Sequence, residues 1–239
     1  MSFVHGSGGR FYVNGFDLSA FLKNVTGSEE IDTHDSTTLG ATAKTYIPGL
    51  VDATLSAEGL FSGAVAATDA VLSAALRGRT PVLWNWLPSG NVDGAFSYGM
   101  SAIATSYEIE TPVDDLVSVS TEAQSNVGLE RAQILHPLAA QTVTGNGVAR
   151  DHGASSTAGG AGYLQVVAAS GATPNLIARV QHSVDNSVWV DLITFAAVTT
   201  PNVAQRLTVA GTVNRWTRCT WAITGTTPSF TLFGAFCRY

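Results

Sequence analysis

Leu50-Val-Asp-Ala-Thr-Leu-Ser-Ala-Glu-Gly-Leu60 is the stretch whose pattern decides the fold. Val51, Ala53, Leu55 and Ala57 alternate with Asp52, Thr54, Ser56 and Glu58. Successive side chains of a strand point to opposite faces, so this alternation describes a strand with one buried and one wet face. The spacing then changes. Over residues 64–77, Val65, Leu72 and Leu76 fall on one helical stripe, Arg77 stands in the last turn, Gly78 is placed as the left-handed residue after the helix, and Pro81 lies beyond. A half-buried strand feeding one Ala-rich helix predicts a sheet with a helix packed on its apolar face.

The pattern extends in both directions. Upstream, a Gly-rich arm from Met1 to Gly9 precedes an alternating segment, Arg10 to Leu18, that contains the turn dipeptide Asn14-Gly15. Residues 31–48, IDTHDSTTLGATAKTYIP, are polar, rich in Thr and without usable period. They read as a long loop or extended arm, and because loops beyond about 12–15 residues in compact domains tend to be functional, as an interaction element. Downstream, Val82–Leu87, Ala95–Glu110 with a break at Gly99, and Leu116–Gln124 supply further strands. This first domain, residues 1–137, is expected to be a β-sandwich or barrel with one flanking helix. Residues 138–144 read as a linker. Beyond it, six short strands at 163–168, 175–182, 188–195, 205–209, 215–223 and 229–236 predict an antiparallel β-sandwich over 145–239. The fold class is therefore mainly β.

Only 13% of the 239 residues are charged, against about 25% in an average soluble protein, which suits a chain whose surface is covered by partners. Residues 1–140 carry six Lys plus Arg against fifteen Asp plus Glu, whereas residues 141–239 carry six Arg against three Asp. The acidic first half and mildly basic second half support a boundary between them. Lys and Arg nowhere interleave with aromatics, so a sequence-independent grip on phosphates is not expected. Cys219 and Cys237 make no disulfide scaffold and read as two buried thiols. The N-terminus lacks the basic start and apolar run of a secretory signal, and no apolar run approaches a membrane span.

The usual catalytic constellations are missing, and the chain is expected not to be an enzyme. His5-Gly-Ser-Gly-Gly is not a nucleophile elbow and does not follow a strand. The histidines at 5, 34, 136, 152 and 182 have no metal-ligand spacing, so neither metal nor cofactor is expected. Asp114-Asp115 follows Pro112 in a turn and reads as solvated. What remains is a set of acids on the polar sides of predicted strands: Asp52, Glu58, Glu108, Glu110 and Glu122, interleaved with Thr and Ser.

Asp32-Thr-His-Asp-Ser-Thr-Thr-Leu-Gly-Ala-Thr-Ala-Lys44-Thr-Tyr46-Ile-Pro48-Gly49-Leu50, running into the amphipathic strand and then the single helix, resembles the major tail tube proteins of long-tailed bacteriophages, over most of residues 10–135. That resemblance implies hexameric rings stacked into a tube, with one sheet of each subunit around the lumen, and a virion location after assembly in the host cytoplasm. It implies an inter-ring or inter-subunit arm at 32–48, carried by Asp32, His34, Asp35, Thr38, Leu39, Lys44, Tyr46 and Pro48, and a second arm before Arg10. Asp52, Glu58, Glu108, Glu110 and Glu122 become lumen candidates, because carboxylates repel the phosphates of passing DNA. DNA would pass without specific binding; a tape measure protein and tail tip or terminator proteins are the implied partners. The last hundred residues resemble an accessory domain of virion proteins through Gln181-His182-Ser183-x-Asp185-x-x-x-Trp189 and Arg215-Trp216-x-Arg218, expected on the tube exterior, with at least two of Trp189, Trp216 and Trp221 in its core. The competing readings are a carbohydrate-binding or cell-surface module, and another particle component such as a tail terminator or head decoration protein.

Overall fold

The computed structural model describes residues 3–239, so Met1 and Ser2 of the expected N-terminal arm lie outside the described residues. Among the described residues, fourteen strands and one α-helix form: β1 Arg10–Val13, β2 Phe16–Asp17, β3 Leu22–Asp35, β4 Tyr46–Leu60, α1 Thr68–Gly78, β5 Val82–Leu87, β6 Phe96–Glu110, β7 Ser118–Ser125, β8 Glu130–Gln141, β9 Gly145–Asn146, β10 Arg150–Asp151, β11 Gly160–Ser183, β12 Val190–Thr194, β13 Val203–Val209 and β14 Trp216–Arg238. The chain divides into two compact units. The first takes the chain through Ala20, Val82–Gly99 and Glu130–Tyr239; the second takes Phe21–Pro81 and Met100–Leu129.

The second unit is an antiparallel sheet in the order β3-β4-β7-β6 with α1 against it. Ala53, Leu55 and Ala57 of β4 are buried beside Val119, Thr121 and Ala123 of β7, as the alternation required. The helix begins at Thr68, four residues later than its spacing suggested. Thr68 explains the start: its hydroxyl accepts from Ser62 N (2.9 Å) and donates to Leu60 O (3.0 Å), tying the first turn to the end of β4. Val71, Leu72 and Ala75 are buried, whereas Val65 stands almost fully exposed in the preceding loop. The left-handed residue that ends the helix is Arg79 (φ 50°, ψ 27°), one position beyond Gly78, and its N–H reaches Leu76 O.

The first unit is built around the long antiparallel pair β11 and β14. Its sheet runs β12-β11-β14-β8-β6-β5-β1-β2, and β13 also pairs with the start of β11. Phe230, Leu232 and Phe236 enter one buried cluster with Leu164, Val166 and Trp221, while Phe233, Ala235 and Cys237 enter another with Tyr12 and Tyr163. Both faces of that end of β14 are covered, which is why Phe230–Cys237 reads as an apolar run rather than an alternation. Four of the six short strands expected here are merged pairwise into the long strands β11 and β14. Gly171 (φ 113°) and Gly225 (φ 127°), read from sequence as turns, sit at irregularities within this pair. The two cysteines are free, buried and both on β14, and burial pushes each thiol up to about 12.

Residues 138–144 do not form a free linker. Ala139, Ala140 and Gln141 pair with Leu232, Thr231 and Phe230, and Val143 O accepts from Trp221 Nε1 at 3.0 Å. The compact units therefore do not coincide with a 1–137 and 145–239 division. β8, from the middle of the chain, pairs with β14, and β1 and β2 join the same unit through β5, so spatial grouping departs from chain order. Gly99 does not break β6; a Cβ there would lie 2.7 Å from both Asn85 Nδ2 and Tyr163 Cε1, so the glycine is needed for close approach.

Candidate functional site: a hairpin arm and an acidic sheet face

The segment expected as a loop over 31–48 is mostly a β-ribbon. Thr33 pairs with Pro48, His34 with Ile47 and Asp35 with Tyr46, leaving only residues 36–45 as the tip. Asp32 lies at the irregularity between Ile31 and Thr33, beside Gly49. The ribbon shows no period because almost nothing in it is buried: from Ser28 to Asp52 every residue except Ser36 and Gly49 is exposed. Register is held by backbone pairing and by local polar bonds. Ser36 N donates to Thr45 O (2.9 Å), and Thr45 N donates to Thr37 Oγ1 (3.0 Å). The hydrogen bonds from the Thr37 side chain and backbone hold the Asp35 carboxyl below its ordinary range. Lys44 reaches Asp35 only at 4.0 Å, and Thr38 closes the tip by accepting from Ala41 N.

This arm exposes apolar side chains in number. Ile31, Leu39, Tyr46, Ile47, Leu50 and Val51 are all solvent-facing, Leu39 fully so. Contiguous exposed apolar surface on a soluble chain marks an interaction site. The eight arm residues singled out from sequence are thus brought onto one projecting element, with Thr38, Leu39 and Lys44 in its tip and the others on its strands.

The five acidic candidates share one face of the second unit's sheet. Glu58 pairs with Ser120, which pairs with Glu108; Glu122 lies between Ser56 and Ser106; Glu110 faces Ser118. Asp52 continues the face toward the arm, where its carboxylate accepts from Gln124. The opposite face of the same strands is the one buried against α1. Two residues on this surface escaped the sequence reading. Glu30 stands directly opposite Asp52, and Lys23 lines a hollow of about 550 Å³ with Glu58, Glu108 and Glu110. Both lie on β3, a strand without apolar alternation, whose one signal was that the free edge of β4 needs a partner. Among the described residues, no three or more His, Cys, Asp or Glu are grouped to hold a metal ion.

The other sequence-level candidates take structural roles. His5 Nδ1 and Ser7 Oγ, 2.8 Å apart, form an exposed local cap around the 3-10 turn Gly6–Gly8. Asp185 accepts from Ser187 N, Val188 N and Ser183 Oγ and shapes the turn before β12. Of the tryptophans Trp189, Trp216 and Trp221, only Trp221 is core, which corrects the expectation of two; Trp189 and Trp216 are half-buried under Arg218 (4.1 Å) and Arg215 (5.3 Å). A buried polar cluster had no sequence signal at all. Glu130 receives Arg206 through Nε (2.9 Å) and Nη2 (2.5 Å) and also the hydroxyls of Tyr163 and Tyr239. Burial alone would raise its carboxyl, but these hydrogen bonds, Arg206 foremost, bring it below the ordinary range.

No described helix is long and apolar enough to cross a membrane. No curated protein matches the sequence. Among solved structures, similarity extends to a chain from the virion of a native gene transfer agent particle (17% identity, TM-score 0.46, covering 53% of this chain and 97% of that one). It extends also to the SPP1 tail tube (12%, TM-score 0.45, 53% and 77% covered) and to the SPP1 Dit protein (12%, TM-score 0.37, 96% and 99% covered). The sequence itself matches the family described as phage tail tube protein over residues 7–131, more than half of its length and including the whole of the arm, the acidic face and α1. The chain therefore belongs to the phage tail tube protein family, a structural component of the phage tail within the virion.

Proposed function

We propose that this protein polymerises as stacked six-subunit rings whose bore is lined by the acidic face of the β3-β4-β7-β6 sheet, forming a conduit for DNA without a catalytic step. The observation that carries this reading is the sharing of one exposed sheet face by Glu30, Asp52, Glu58, Glu108, Glu110 and Glu122, set among Ser and Thr and opposed by Lys23. Like charge keeps the phosphates of a sliding duplex off the wall, and small hydroxyls give bases nothing to stack on. The arm, with Asp32, His34, Asp35, Thr38, Leu39, Lys44, Tyr46 and Pro48, bridges neighbouring subunits or rings. Residues 145–239 face outward, consistent with their six Arg against three Asp, and a tape measure protein and tail tip or terminator proteins are the expected partners.

Electron microscopy of the purified chain tests assembly: hollow tubes or six-fold rings are expected, and a chain that stays monomeric at high concentration with a tail initiator refutes it. Glu108→Lys with Glu110→Lys tests the wall. Both side chains are exposed, so folding is retained, and DNA ejection is expected to slow; unchanged ejection kinetics remove these residues from the bore. A second reading concerns Trp189 and Trp216, whose half-exposed rings suit a glycan on residues 145–239. Glycan-array binding by the full chain that is lost in Trp189→Ala supports it, and no binding sinks it.

A further inference from the structure

We infer that the end of the second unit's sheet remote from the arm is the seat for the arm of a second copy of this chain. The inference rests on the stacking reading above and adds the surface that receives the arm. At this end β4 leaves the sheet and the β6–β7 turn closes, and the two are joined by Phe61 N donating to Val117 O at 3.0 Å. Phe61, Val65, Ile109, Val113 and Leu116 are all exposed here, Val65 at 96% and Val113 at 106%. Nothing in the unit's core uses them. The arm leaves the sheet at the start of β4 and this patch lies at its finish, so the two apolar surfaces stand at opposite ends of one strand direction.

Two unlike surfaces at opposite ends make a heterologous contact, which propagates head to tail instead of closing into a pair. The charges agree with one occupant. Lys44 is the one Lys or Arg between residues 24 and 76, it sits in the arm tip, and its side chain is 71% exposed. The receiving end offers Asp114 and Asp115 in the turn after Pro112 and Glu110 beside Ile109, with Lys23 as the cation of the adjoining hollow. An arm exposing Leu39, Tyr46 and Ile47 around a single cation is complementary to a patch exposing Val113, Leu116 and Ile109 around two carboxylates.

The test is a double variant, Leu39→Cys with Val113→Cys, oxidised after polymerisation of the full chain. Cys219 and Cys237 are buried and do not compete. A ladder of covalent multimers is expected from the double variant and from neither single one. Val113→Asp with Leu116→Asp, at positions too exposed to disturb folding, is expected to raise the concentration needed for polymerisation about tenfold or more, one decade per ~1.4 kcal/mol of lost contact. Asp114→Lys with Asp115→Lys should act likewise, and adding Lys44→Asp should restore tubes. Wild-type tubes with no ladder, together with Val113→Asp/Leu116→Asp tubes at the wild-type concentration, overturn the seat and leave the conduit standing. A wild-type chain that forms neither rings nor tubes overturns both.

Discussion

Arg206→Met isolates what the buried Glu130 cluster contributes to the first unit. Glu130 is 8% exposed and the Arg206 side chain 15%, so both charges are largely withdrawn from water and each depends on the other. Removing one partner of such a pair costs about 3–5 kcal/mol, because a buried charge is left uncompensated. The two tyrosine hydroxyls still donate to Glu130 in the variant and place the loss toward the lower figure. All five tryptophans, Trp84, Trp86, Trp189, Trp216 and Trp221, belong to the first unit, so their fluorescence in a urea titration follows that unit alone. With a slope of about 2 kcal/mol/M, the midpoint is expected to fall by about 1.5–2 M at pH 7.

The dependence on pH gives a second readout. In the wild type the folded-state pKa of Glu130 is lowered, so its contribution is present above the unfolded value of about 4.3 and disappears as pH falls through the folded value. In Arg206→Met, burial, the largest influence on this carboxyl, remains while the main lowering contact is gone, so its pKa is expected to rise. The folded variant then binds a proton before the unfolded chain does, and its deficit shrinks on going from pH 7 to pH 5. Arg206→Met with Glu130→Gln removes both charges and should recover most of the loss. A deficit below about 1 kcal/mol at pH 7, or one equal at pH 7 and pH 5, refutes this account of the cluster.

Deleting residues 33–46 is expected to leave a folded chain that no longer elongates, since the removed segment is exposed throughout except for Ser36; normal tubes by electron microscopy refute the arm's role. Gly99→Ala places a methyl 2.7–2.8 Å from Asn85 and the Tyr163 ring and should cost about 1–3 kcal/mol by overpacking in a urea titration; a wild-type midpoint refutes the close approach. Burial lowers the His136 imidazole to about 4, and its ring lies 4.3 Å from that of Trp221. The unfolded chain therefore takes up the proton first, and stability should fall by up to ~1.4 kcal/mol per unit between about pH 6.5 and 4. His136→Phe keeps the stacking and should reduce the slope in that interval, leaving the part due to His152 and His182, whose imidazoles burial also lowers; an unchanged slope shows that His136 does not contribute to it.

The sequence by itself determined the elements that have one wet and one buried face. Leu50–Leu60, Leu116–Gln124 and the Asn14-Gly15 hairpin were legible because alternation records the difference between solvent and core, and a turn dipeptide records its own backbone angles. It also carried the acidic side of β4, β6 and β7, since the polar face follows once the apolar one is known. Only the tertiary structure decided the strands with two like faces. The ribbon around Ser28–Val51 is wet on both sides and Phe230–Cys237 is covered on both, so neither carries a period of two, and the first was read as a loop. Tertiary structure likewise decided the partners. Ala139–Gln141 of β8 pairs with β14, Glu130 meets Arg206, and β3 completes the acidic sheet with Glu30 and Lys23. Each joins residues remote in the chain or placed by a bulge, where backbone hydrogen bonding and burial choose the partner and local composition leaves no mark.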